Sequence, residues 1–172
     1  VTTATPDEVD RIVAAWTQER PDLDVAPMRI LSRITRIARH LDLKRREAFA
    51  THNLEPWEFD VLSSLRRSGP PYSLTPGALM TELLVSSGTM TNRIDRLEQR
   101  SLVSRTPSPV DRRAVLVALT DDGKMLVDQA LQALLEVERE ILASVPDSDM
   151  TAFASLLRSV LVPLESTATP SK

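Results

Sequence analysis

The side chains of this chain best suited to act on another molecule are arginines and small hydroxyls, not nucleophiles or metal ligands. His40 and His52 are the two histidines, they stand at no metal-ligand spacing, and there is no cysteine to supply a thiolate. No Gly-rich phosphate loop and no Ser-His-Asp arrangement can be assembled. No catalytic residue, metal or cofactor is therefore expected. The absence of cysteine also removes disulfides and sulfur-based peroxide sensing. His40 belongs to a basic helix face and His52 to a helix end, where a solvated imidazole is the ordinary state.

The basic residues are unevenly placed. The chain of 172 residues has a formal net charge of -3, and of its 21 basic residues only Lys44, Lys124 and Lys172 are lysine. From Ser86 to Arg113, six arginines face Asp95, Glu98 and Asp111, a local surplus of three positive charges, whereas Asp121 to Glu140 is strongly acidic. On a helical wheel Met90, Ile94 and Leu97 mark a buried line, so Gly88, Asn92, Asp95, Arg96 and Gln99 face outward. Ser87, Thr89 and Thr91 lie near the start of that helix and are small enough for close approach to phosphates and base edges. Such a face alone also fits an ordinary solvated helix. The coincident positive charge favours duplex DNA.

The elements that must position these residues are mostly helical. Thr5-Pro6-Asp7-Glu8 predicts a helix start with Thr5 as N-cap and Glu8 closing a capping box, followed by an apolar stripe through Val9, Ile12, Val13 and Trp16. A longer helix spans Pro27 to about Thr51, with Leu31, Ile34, Ala38 and Leu41 on one side. Its Arg29, Arg33, Arg36, Arg39, Lys44, Arg45 and Arg46 are expected to be solvated or paired with the acidic helix from Asp121. Three short helices follow, starting at Glu55-Pro56, at Thr75-Pro76 and at Ser86 or Ser87. Leu102–Arg105 and Ala114–Leu119 predict a two-stranded hairpin with a polar tip at Asp111-Arg112-Arg113. Thr120 caps a helix to about Ser144, and a last helix runs from about Asp147 to Leu164, leaving residues before Thr5 and from Ser166 onward disordered. Three helices and a wing, in that order, make a winged helix-turn-helix, whose third helix enters the major groove. The fold class is mainly α (α+β).

The run Leu74-Thr-Pro-Gly-Ala-Leu79, then Val85-Ser-Ser-Gly-Thr-Met-Thr-Asn-Arg93-Ile-Asp-Arg-Leu-Glu-Gln-Arg100, Asp111-Arg-Arg113 and Leu119-Thr-Asp-Asp-Gly123 strongly resembles the MarR family of bacterial regulators. The likeness is close from about Leu54 to Gly123. It implies a homodimer formed by the N- and C-terminal helices, with two winged lobes on a pseudo-palindromic operator of double-stranded DNA. DNA contacts then fall to Ser87, Thr89, Thr91, Asn92 and Arg96, with Arg113 of the wing entering the minor groove beside Arg112. Where the family commonly carries glycine after the recognition helix, this chain has Ser101; in a left-handed C′ geometry serine costs on the order of 1 kcal/mol.

A second layer of resemblance is to the urate-responsive branch of that family, which adds an N-terminal helix bearing a tryptophan. Its ligand-binding set of tryptophan, aspartate and two arginines maps onto Trp16, Asp60, Arg93 and Arg105. The implied partner is a small anionic effector that stacks on Trp16, pairs with Arg93 and repels Asp60, an aspartate that otherwise holds Arg105 or Arg93. Urate leads; another purine, or a carboxylate such as citrate, suits the same arginines. The plainer readings are a packed Trp16 and an Asp-Arg bridge between lobe and helix.

The resulting division is residues 1–53 for the extra helix and first dimerisation helix, 54–120 for the DNA-binding lobe, and 121–172 for the C-terminal dimerisation helices. A repressor is expected, with a protein-interaction module as the alternative. No apolar stretch approaches the ~20 residues of a bilayer span, and the start lacks a leader-like pattern, which predicts a cytoplasmic protein.

Overall fold

Several helix starts in this chain fall where a side chain takes up free backbone N–H groups, and these caps fix where the elements begin. The computed structural model describes residues 5–107 and 115–168. α1 (Glu8–Glu19) is capped by Asp7, not by the expected Thr5. Asp7 accepts from the Val9 and Asp10 N–H groups at 2.7 and 3.0 Å, and Asp10 accepts in return from the Asp7 N–H at 3.0 Å. This is the reciprocal box expected of Thr5 and Glu8. A carboxylate prevails because it offers two acceptor oxygens and a full negative charge to the positive end of the helix dipole.

The same two carboxylates hold α1 against α2 (Met28–Ala50). Arg33 donates to Asp7 at 2.8 Å and to Asp10 at 2.7 Å, while Val9 and Val13 are buried. Part of the basic face of α2 is thus paired with α1 rather than with the acidic helix from Asp121. Arg46 pairs within α2 with Asp42 at 3.0 Å, and Arg45 pairs with Asp60 at 3.4 Å.

α3 (Pro56–Arg67), α4 (Pro76–Leu83) and α5 (Ser87–Gln99) form the expected tri-helical unit. Phe49 of α2 stacks on Phe59 of α3 with centroids 4.4 Å apart, and Leu62, Leu65, Leu79, Met90, Ile94 and Leu97 complete the core below them. Past the cap of α5 at Arg100, Ser101 takes the left-handed C′ geometry, with φ of 58°. The Leu102 N–H reaches back to the Leu97 carbonyl at 3.0 Å.

The sheet has three antiparallel strands in the order β1-β3-β2: β1 (Ser73–Leu74), β2 (Val103–Pro107) and β3 (Val115–Leu119). The expected hairpin is the β2–β3 pair, with Arg105 opposite Val117. β1 is an addition, pairing Ser73 with Ala118 and Leu74 with Val117. Two residues are too few to display a period-two pattern, so only the pairing reveals this strand. Residues 108–114, including Arg112 and Arg113 at the wing tip, lie outside the described residues.

The chain divides into two packing units after Leu134, inside α6 (Asp121–Leu142). In the first unit Val127, Ala130 and Leu134 belong to the lobe's own core. The second unit carries the end of α6 and α7 (Asp147–Ala168), along which Phe153, Leu156, Leu157, Val160, Leu161 and Leu164 are exposed. α7 passes through Pro163 and beyond the expected stop at Leu164. Ser166, expected to be disordered, is helical and donates to the Val162 carbonyl at 2.9 Å. One proline removes a single N–H donor, and the flanking turns hold the helix together. No helix among the described residues is long and apolar enough to cross a membrane.

Candidate nucleic-acid interface

The α4–α5 turn is built from three local devices. Thr75 caps α4 by accepting from the Ala78 N–H at 3.1 Å, and Ser86 caps α5 by accepting from the Thr89 N–H at 3.3 Å. Between them Leu84 adopts φ 53°, and its N–H returns to the Met80 carbonyl. This left-handed residue reverses the chain within one step and sets α5 across the lobe. Burial of Met90, Ile94 and Leu97 then decides which face of α5 looks out.

That outward face carries Ser87, Gly88, Thr89, Thr91, Asn92 and Arg96, all exposed. A shallow open depression of about 410 Å³ lies beside it, walled by Trp57, Gly88, Thr89, Asn92, Arg93 and Arg96. Arg96 lies over the Trp57 ring at 4.7 Å and Arg93 at 5.6 Å from its centroid. Five of the seven residues expected to meet DNA are therefore exposed on α5. Arg112 and Arg113 fall in the undescribed tip.

Not all of the local positive surplus is free. Arg100 is taken up by Glu58 at 2.6 Å, and Arg105 is clasped by both Asp95 and Glu98. These contacts, the Asp95 hydrogen bond first, hold the Arg105 guanidinium still more firmly cationic than usual. Arg93 makes no ion pair among the described residues, and Arg96 has only Glu55 at 3.8 Å. The charge available to an anion is thus concentrated on α5 at these two arginines.

The expected effector set is spread over four elements. Trp16, on α1, is 49% exposed beyond the buried Val9 and Val13. Asp60 of α3 pairs with Arg45 of α2, not with Arg93 or Arg105 as anticipated. Arg93 faces Trp57, and Arg105 of β2 faces Asp95 and Glu98. Among the described residues no hydrogen bond, ion pair or ring contact joins any two of the four.

Three participants were not singled out from the sequence. Trp57 borders the buried stripe of α3, one turn before Val61, and packs partly buried against the core, so its spacing reads as ordinary packing. Glu58 is the buried carboxylate of α3, and Arg45 is the partner of Asp60. Their pairings are long-range, and no spacing in the chain announces them.

A family model described as MarR family matches residues 52–114. The HTH-type transcriptional regulator PecS of Dickeya dadantii (strain 3937) is 38% identical over 153 residues, covering 89% of this chain and 92% of that protein. A MarR variant from E. coli, solved in complex with operator DNA, superposes with a TM-score of 0.66 at 28% identity over 81% of this chain and 99% of that one. A MarR family protein from Bacillus stearothermophilus shares the fold, with a TM-score of 0.71 at 24% identity over 83% and 99% of the two chains. Capped helices, buried line, left-handed turn and wing therefore coincide with a likeness along most of the sequence, and the chain belongs to the MarR family of winged helix-turn-helix regulators.

Proposed function

We propose that this protein is a ligand-responsive transcriptional regulator, a cytoplasmic repressor that binds a pseudo-palindromic operator as a homodimer. The observation that carries the reading is the exposed face of α5, where Asn92 and Arg96 stand together among small residues with no large apolar side chain between them. Asn92 and Arg96 are matched to adenine and guanine edges, which accept amide and guanidinium donors in pairs. Ser87, Thr89 and Thr91 then hold phosphates, and Arg112 and Arg113 follow the minor groove. The likeness to operator-bound MarR supports this docking. The exposed apolar residues of α7, and separately Ile30, Leu31 and Ile37 on α2, are side chains that a second copy would cover.

The effector is an anion of the urate kind, received by Trp16, Arg93 and Arg105 and repelled by Asp60. It must compete with Asp95 and Glu98 for Arg105, and with the Trp57 ring for Arg93. Both contacts run to or from α5, so an anion that displaces them shifts the DNA-binding helix and lowers operator affinity.

Anisotropy of a labelled promoter duplex against salt tests the DNA reading. Neutralised phosphates give a log-log slope of about -0.9 per contact, and Arg96→Ala or Asn92→Ala should weaken specific binding. A salt-independent interaction would instead mark a protein-binding module. Urate and citrate titrated into the complex identify the effector class by which one releases DNA, and Trp16→Phe with Arg93→Ala should blunt the release.

A further inference from the structure

Trp57 occupies the second position of α3, directly after Pro56, with its indole partly buried against the lobe core. Two guanidinium groups of α5 lie over this one ring, Arg96 at 4.7 Å and Arg93 at 5.6 Å. An exposed arginine samples many rotamers, and freezing them on binding lowers affinity. A guanidinium laid on an indole face is attracted by the ring quadrupole and has already surrendered much of that freedom.

The only carboxylate paired with Arg96 among the described residues is Glu55, at 3.8 Å, and both side chains are more than half exposed. A pair of that kind contributes little. A carboxylate that ordered the arginine fully would also cancel the charge a phosphate or base needs. The neutral ring orders it and leaves the charge intact.

We propose that Trp57 is a positioning residue for DNA recognition: it presets Arg96 on the outer face of α5, with Arg93 held on the same ring at the flank of that face, so that the helix meets the groove with its exposed cation already ordered. The proposal rests on the DNA-binding reading above. Because two lobes meet one operator, the loss of the ring is felt twice. A loss of about threefold per lobe becomes roughly tenfold in operator affinity.

The test uses the full chain and a fluorescein-labelled duplex selected from random-sequence DNA by the wild-type protein. Trp57→Leu, which keeps an apolar side chain but no ring, should bind about tenfold more weakly, and Trp57→Phe should recover most of the loss. In an Arg93→Ala/Arg96→Ala background, Trp57→Leu should cost nothing further. Unchanged binding by Trp57→Leu, or an equal loss in the double-alanine background, overturns the proposal. If Trp57→Leu fails to fold by circular dichroism, the Trp16→Phe protein leaves Trp57 as the sole tryptophan of the two in the chain. Arg96→Ala must then change indole emission and acrylamide quenching, and no change overturns the proposal. A wild-type protein that selects no duplex sinks the DNA reading together with the role of Trp57. Wild-type binding with an indifferent Trp57→Leu sinks the latter alone.

Discussion

Arg100, at the end of α5, closes on Glu58, in the first turn of α3, at 2.6 Å across a separation of 42 residues. Glu58 is 3% exposed in its side chain and also accepts the Glu55 N–H at 2.9 Å, while Arg100 donates to the Asn53 carbonyl at 2.9 Å. The pair ties the far end of the recognition helix to the helix beneath it. Arg100→Ala strands a buried carboxylate and should destabilise the lobe by about 3 kcal/mol in urea unfolding. An unchanged midpoint would show that Glu58 finds water or another donor.

The left-handed Ser101 predicts a gain. With φ at 58°, serine carries a strain that glycine does not, so Ser101→Gly should stabilise the fold by about 1 kcal/mol. Thermal unfolding measures it, and a lower melting temperature would mean that the serine side chain contributes more than the backbone loses.

Gly123 predicts the opposite. A Cβ placed there would stand 2.0 Å from the Leu102 carbonyl oxygen, a backbone atom that already accepts from the Thr120 N–H. Gly123→Ala must therefore push α6 away from the start of the wing, at a cost of about 1–3 kcal/mol. Wild-type stability in that variant would sink the argument for close approach.

Acid should loosen α1. The Arg33 hydrogen bond is the main cause holding the Asp7 carboxyl below its ordinary 3.8, and the Asp7 N–H, then Arg33, does the same for Asp10. With folded values depressed, this stabilisation is fully present above the unfolded value, about 3.9, and is lost as pH falls through the lower folded ones. Acrylamide quenching of Trp16 in a Trp57→Phe protein should stay flat from neutrality to about pH 5 and change below about pH 4. Arg33→Ala should lack most of this acid step; an identical step in both proteins would assign it elsewhere.

On the proposed urate reading, Arg105 predicts a change in effector affinity. Its clasp by Asp95 and Glu98 competes with any incoming anion, so Asp95→Asn with Glu98→Gln should tighten urate binding, by roughly two- to fivefold for partly exposed pairs. Isothermal calorimetry reads this directly. Weaker binding would mean that the carboxylates orient Arg105 for the ligand instead of withholding it.

Much of the fold is local in origin. The caps at Thr75 and Ser86, the prolines at Pro56 and Pro76, and the spacing of Met90, Ile94 and Leu97 act within a turn or two, which is why the helices of the lobe and the outward face of α5 were legible before any coordinates. Composition likewise excluded thiolate chemistry. The competition between Thr5 and Asp7 for the first cap was not legible, because a second carboxylate and Arg33 of another helix tip it. The partners of individual charges belonged to tertiary structure alone: Asp60 took Arg45, Arg105 took Asp95 and Glu98, and Arg93 and Arg96 took the Trp57 ring. A helix period follows from backbone geometry repeated residue by residue. A charged side chain instead pairs with whatever the packed helices bring within reach, and that distance exists only once the chain has folded.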